Sequence, residues 1–147
     1  MKWRKFFSLS KNQQVLLFQA YGLMLVTRLG LFCLSFQSLR ALLEQINRSK
    51  AKPRASEQIN VRHIAIAVEY SSRFSIGNVK CLAKALTANT LMSIYSISCQ
   101  MHIGVAKAKD VGIEAHAWVE VDKKVIVGYL PDLSRFQPMS SPTQNVL

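Results

Sequence analysis

Ile113-Glu114-Ala115-His116-Ala117-Trp118-Val119-Glu120-Val121 decides the reading of this chain. Ile113, Ala115, Ala117, Val119 and Val121 alternate with Glu114, His116, Trp118 and Glu120. Successive side chains leave a strand on opposite faces, so a period of two predicts a half-buried strand. Upstream, Ile97, Cys99, Met101, Ile103 and Val105 repeat the pattern, and Asp110-Val111-Gly112 supplies a turn between the two strands. Downstream, Asp122-Lys123-Lys124 reverses the chain into a third strand that starts over Val125 to Val127. The middle of the chain is therefore an antiparallel meander, with His116 on its polar register beside Trp118.

Helical spacing precedes the meander. A helix from Val79 to about Ile94 places Leu82, Leu86 and Leu91 in the core, with Asn78 as its N-cap and Cys81 in its first turn. The turn residues Phe74-Ser75-Ile76-Gly77-Asn78 separate it from a helix over Ile59 to Arg73, whose Ile59, His63, Ile66 or Ala67, and Tyr70 share one side. Residues 11 to 47 also repeat apolar residues at three-four spacing. Gly22 and Gly30 weaken that run by about 1 kcal/mol each against alanine, which predicts a kink or break near Gly30. Helices first, then a helix leading into a meander, is an α+β order. The polar, basic tract from Asn47 to Glu57, with Pro53, reads as a linker or loop, and the Pro-, Ser- and Gln-rich segment from Pro131 reads as loose at its end. The expected organisation is an N-terminal apolar helical region over 1–52, the α+β domain over 53–140 and a loose tail over 141–147.

Composition narrows the function classes. A length of 147 residues suits one domain of ordinary size, and a 50% hydrophobic content is enough for a core. The net charge of +11 favours acidic partners, but the basic residues are spread out and do not interleave with aromatics, so no nucleic-acid platform is expected. Cys33, Cys81 and Cys99 are odd in number and have no CxxC spacing, which suggests free thiols in a reducing, cytoplasmic compartment. Cys81, Cys99, His102 and His116 follow no ligand spacing, so neither a metal nor another cofactor is expected. The apolar run from Val15 to Phe36 is long enough to span a bilayer. Gln19 and Arg28 lie inside it, and an arginine near the bilayer centre costs about 2.5–3.5 kcal/mol, which favours a packed or interfacial helix over a membrane span or a cleaved signal and leaves peripheral membrane association open.

A cysteine in the first turn of a helix faces the positive end of the helix dipole, which stabilises a thiolate. A histidine on a facing strand could pair with that thiolate, and the backbone N–H of Cys81 could serve an oxyanion hole. The bland readings are equally physical: Cys81 as a small buried hydrophobe, His116 as a hydrogen-bonded surface residue, and Trp118 as a lid on the core. Trp118 could instead wall the His116 ring from water. Cys99 and Cys33 sit in apolar registers and read as structural. His102 is a rival base, and His63 has no evident link to a thiol.

Cys81-Leu82-Ala83-Lys84-Ala85-Leu86, then Ile103-Gly104-Val105, then Ala115-His116-Ala117-Trp118-Val119-Glu120-Val121-Asp122 together resemble the transglutaminase-like leader peptidases of lasso peptide biosynthesis. The resemblance covers about residues 60 to 136, and the Arg28-Leu29-Gly30-Leu31 step resembles the front part of those proteins. It implies a transglutaminase-like, papain-like core in which the cysteine helix packs on an antiparallel sheet behind N-terminal apolar helices. It further implies Cys81 as nucleophile and His116 as general base, then general acid. The implied reaction is removal of a leader from a ribosomally made lasso-type precursor through a thioester. The implied partners are that precursor leader, a small leader-recognition protein and the ATP-dependent lasso cyclase. Gly128 departs from the family pattern, which places an acid there. If Lys123-Lys124 is a two-residue turn, His116 faces Pro131, and the adjacent Asp132 is the substitute candidate for orienting the ring; a backbone carbonyl or water could also hold it, with weaker activity expected. Two other classes fit the same residues: an acyltransferase or amidase of the same superfamily, and a non-catalytic, membrane-associated binding module.

Overall fold

The computed structural model describes residues 9–49, 59–73, 80–139 and 143–144. Helix α1 (Lys11–Cys33) opens on a capping box in which the Gln13 N–H donates to Ser10 Oγ at 3.3 Å and the Ser10 N–H donates to Gln13 Oε1 at 3.2 Å. The apolar run then breaks at Leu34-Ser35, where Ser35 Oγ accepts from the Ser38 N–H at 3.2 Å and starts α2 (Phe36–Ser49). The break falls four residues past Gly30, which stays helical. Gly30 is there for close approach: a Cβ on it would collide with the side chain of Leu39, which is fully buried.

Helix α3 (Val61–Ser72) is capped by Asn60, whose Oδ1 accepts from the His63 N–H at 3.0 Å. Its buried side is Ile64, Ala67, Val68 and Ser71, while Ile66 and Tyr70 face outward. Of the side expected from spacing, Ala67 is buried, while His63 is committed to the cap, where its ring meets the Asn60 N–H at 3.4 Å and Gln13 at 3.2 Å. Helix α4 (Lys80–Ile94) lies between the other helices and the sheet. Its Ala83, Ala85 and Ala88 are buried and let the neighbouring helices come close. The expected turn over 74–78, with the Asn78 cap, lies outside the described residues.

The meander forms as strands β1 (Gln100–Lys107), β2 (Ile113–Val121) and β3 (Lys124–Val127), all antiparallel. The β2–β3 turn is Asp122-Lys123, with φ of 50° and 63°, the doubly left-handed geometry that matches strand twist. This corrects the Lys123-Lys124 turn considered above. Val121 pairs with Lys124 and Val119 with Val127, across a bulge at Val119/Glu120. The residue brought to His116 is then Gly128 rather than Pro131. After a 3-10 turn at Leu133–Arg135, the chain adds β4 (Gln137–Pro138) and β5 (Thr143–Gln144) to the free edge of β1. Part of the segment expected to be loose therefore closes the sheet, in the order β3-β2-β1-β4.

A continuous core runs through both layers. Leu16, Leu39, Ile64, Leu91 and Met92 from the helices meet Cys99, Met101, Ala117, Val119 and Val127 from the sheet side. Ile113, expected inside, is 79% exposed, because β2 overhangs the helices at its start. Burial on this scale stabilises by about 1.5–3 kcal/mol per large apolar side chain.

The two helical glycines should respond with opposite signs. Gly22 has nothing within 4 Å of a built Cβ, so Gly22→Ala should raise stability by about 0.5–1 kcal/mol. Gly30→Val should lower it by about 1–3 kcal/mol through overpacking against Leu39. Denaturant unfolding measures both, and a stabilising Gly30→Val would refute the close contact.

Candidate functional site

One side of the β1–β2 ribbon carries the chemistry. His102 pairs with Trp118 across the strands, and Gly104 pairs with His116. The Trp118 indole stacks between the two imidazoles, 5.2 Å from His102 at 13° and 6.2 Å from His116 at 14°. Gly104 makes room for it: a Cβ there would stand 3.0 Å from the indole. Glu120 accepts from Trp118 Nε1–H at 2.9 Å, and its other oxygen lies 3.5 Å from His102 Nε2. Phe136 tilts against the His116 ring at 5.4 Å. Trp118 and Phe136 are both buried, so His116 is walled by two aromatic rings, the functional role considered for Trp118.

The His116 ring is fixed by a main-chain group. Its Nε2 lies 2.7 Å from the Gly128 carbonyl oxygen. A carbonyl can only accept, so Nε2 carries the hydrogen and donates. In the neutral ring Nδ1 is then the bare, basic nitrogen, and among the described residues no group bonds it. Gly128 has φ of +83°, and a Cβ on it would fall 2.6 Å from the Ala117 carbonyl oxygen and 3.0 Å from Trp118 Cβ. An acid side chain cannot occupy this position without moving the strands. The backbone takes the place of the carboxylate that the resemblance led one to expect.

Asp132 is engaged elsewhere. Its Oδ2 accepts from Arg135 Nε at 2.7 Å. Arg135 also hydrogen-bonds Glu114, donates to the Lys107 carbonyl at 3.1 Å and lies 4.4 Å over the Phe136 ring. The hydrogen bond with Glu114 first, and then that with Asp132, raises the Arg135 pKa above its ordinary value. This clamp ties the returning segment to the hairpin end of β1 and β2 and sets Phe136 against His116. Asp132 thus bears on the ring at one remove, through Arg135 and Phe136.

Cys81 is the second residue of α4, half-buried at the helix's amino end, as its first-turn placement predicts. α4 packs on β2. Ala117 and Val119 enter the core that α4 lines, while His116 and Trp118 leave the strand from its other side. Among the described residues no hydrogen bond joins Cys81 to His116 or Asp132, and the structure does not bring the thiol and the imidazole together.

The other candidates sort clearly. Cys99 is 3% exposed, and its thiol lies 3.3 Å from Asn89 Oδ1. Burial pushes its pKa up to about 12, so it remains a thiol at neutral pH. Cys33 is exposed at the end of α1. His63 belongs to a helix cap. Among the described residues no three His, Cys, Asp or Glu side chains converge as a metal site. The sequence allows a backbone carbonyl as holder of the ring without locating it at Gly128, and it does not reveal Phe136 or the Arg135 clamp. A signal existed for the first, since a two-residue left-handed turn at Asp122-Lys123 would have brought Gly128 to His116.

The family model for the transglutaminase-like superfamily matches residues 22–141. Searches of curated proteins and of solved structures find no match.

Gly128→Ala should cost about 1–3 kcal/mol, from a left-handed backbone and the Ala117 contact, read as a lower denaturation midpoint. An unchanged midpoint would count against the geometry described. Cys99 gives a pH test. The folded state keeps a proton that the unfolded chain releases above its ordinary value of 9.0, so this thiol's contribution to stability is lost as pH rises from about 9 toward 12. Cys99→Ala should flatten that decline in a pH-dependent melting series.

Proposed function

The chain belongs to the transglutaminase-like superfamily, whose members are generally cysteine peptidases or transglutaminase-type enzymes, and on that footing we propose that it is a cysteine acyl-transfer enzyme built on Cys81 and His116. The observation that carries the reading is the His116 ring, held by Gly128 through Nε2 and left with Nδ1 as a base. Cys81 supplies the nucleophile at a helix start, where N–H groups and the dipole favour negative charge.

The reaction runs in two halves. The reaction requires the α4 start and the His116 edge to meet; His116 Nδ1 then takes the thiol proton, and Cys81 Sγ attacks a scissile carbonyl carbon. The tetrahedral oxyanion is met by backbone N–H groups at the α4 start. Collapse breaks the C–N bond, His116 returns the proton to the leaving amine, and a thioester on Cys81 remains. Water, deprotonated by His116, attacks the thioester and releases the acid and the thiol. Through both halves Gly128 O stabilises the imidazolium, and a hydrogen bond to a charged donor is worth about 1.5–3 kcal/mol.

The finer reading is proteolysis of a lasso-type precursor, with a leader peptide as the segment removed and with a leader-recognition protein and an ATP-dependent cyclase as partners. The Cys81–Leu86 and Ala115–Asp122 motifs support it. Release to an amine instead of water makes the same site an acyltransferase, and the product mass separates the two. A free thiol nucleophile suits a reducing, cytoplasmic compartment.

Incubation with the cognate precursor tests the peptidase reading. Cys81→Ala and His116→Ala should each lower cleavage by about 1,000-fold or more with unchanged folding. Asp132→Asn should lower it less than about tenfold, because its contact with Arg135 only steadies Phe136. Cleavage that survives Cys81→Ala would overturn the assignment. Acylation of Cys81 by a small activated ester without precursor cleavage would retain acyl transfer and reject the leader-peptidase reading.

A further inference from the structure

His102 and Glu120 are ionisable side chains on the site face of the sheet, and the steps above use neither. Both are largely covered, with side chains 13% and 25% exposed. Among the described residues, the polar partners of the Glu120 carboxylate are Trp118 and His102. Oε1 accepts from Trp118 Nε1–H at 2.9 Å, and Oε2 lies 3.5 Å from His102 Nε2. That His102 nitrogen is closed off from solvent and makes no hydrogen bond among the described residues. It has no path to a substrate, which removes His102 as a rival base. Withdrawing a carboxylate from water is costly, and the hydrogen bond it gains here is the one to the indole.

The Trp118 indole is held at both edges. Its six-membered ring lies over Gly104, where a Cβ would meet Cη2 and Cζ3 at 3.0 Å. Its N–H, on the other edge, is bound by Glu120. Turning the ring over would bury an unpaired N–H and take the six-membered ring off the glycine. The plane so fixed carries His102 on one face, 5.2 Å away at 13°, and His116 on the other, 6.2 Å away at 14°. The Gly128 bond alone does not fix the plane of His116. Rotation about Cβ–Cγ carries Nδ1 further than Nε2, so a ring tethered at Nε2 can still swing its Nδ1 edge. The near-parallel indole, with Phe136 tilted on the ring at 5.4 Å, stops that swing.

We propose that Glu120 is a positioning residue for His116, acting through Trp118: the carboxylate pins the indole, and the indole sets the direction of His116 Nδ1. His102 supports the arrangement from the far face of the indole. The proposal rests on His116 as the base of the proposed reaction, but the position of the ring is measured without substrate, so the two can fail separately.

Nitrogen-15 spectra of the imidazole and indole groups in the full chain, together with acylation of Cys81 by p-nitrophenyl acetate, test this. Glu120→Gln keeps the reach and an accepting oxygen but loses the charge. Glu120→Asp keeps the charge and loses the reach. Glu120→Asp should move the Trp118 Nε1–H signal, broaden that of His116 Nε2–H and slow acylation by about tenfold, with melting unchanged. Glu120→Gln should leave the His116 signal sharp and acylation within about threefold of wild type. In a Trp118→Phe background, which lacks the indole N–H, adding Glu120→Asp should change the rate by less than about twofold. Any of three results overturns the proposal: a His116 signal unchanged in Glu120→Asp, Glu120→Gln as damaging as Glu120→Asp, or additive losses in the Trp118→Phe background. Failure of the wild-type Cys81 to be acylated would reject the catalytic reading instead, and the His116 signal would still decide the positioning claim.

Discussion

A 2.7 Å hydrogen bond from His116 Nε2 to the Gly128 carbonyl fixes the ring on which the proposed chemistry depends. It fixes the ring's tautomer and leaves a basic nitrogen on the other edge. Its geometry needs a glycine at 128, because any Cβ would strike the Ala117 carbonyl. It also needs the two-residue Asp122-Lys123 turn, which sets how far β3 travels past β2. A side-chain carboxylate would add a full negative charge beside the ring. A carbonyl adds only a dipole, so it orients the imidazole while stabilising the imidazolium less.

The sheet serves two ends through its two sides. Ala117, Val119 and Met101 anchor it to the helices and carry the burial energy. His102, Trp118, Glu120 and His116 form the stacked row opposite. Alternation along β2 is what makes the division possible: each residue that stabilises the fold is followed by one free to serve the site. The Arg135 clamp completes the row by pinning Phe136 beside the ring from a segment that returns late in the chain.

Periodic features were legible in the sequence, and features of register were not. β2 occupies the residues its alternation predicts, and α4 places Cys81 in its first turn. On α3, spacing groups His63 with Ala67 and Tyr70, but His63 serves a helix cap that hydrophobic spacing does not reveal. The break after α1 was misplaced because Gly30 is a packing glycine, and only the position of Leu39 distinguishes that from a helix breaker. Asp132 was proposed from chain distance to His116. Its actual partner, Arg135, three residues on, is set by a 3-10 turn that left no periodic trace. The Gly128 carbonyl was hidden for a deeper reason: main-chain acceptors exist at every residue, so register alone decides which one counts.

Nitrogen-15 chemical shifts of the His116 imidazole test the central claim most directly. The account predicts a neutral ring protonated at Nε2 with Nδ1 bare, and an Nε2–H coupled across the hydrogen bond to Gly128. A ring protonated at Nδ1 would contradict it, since a carbonyl could not then hold Nε2 and the nitrogen assigned to activate Cys81 would carry a proton.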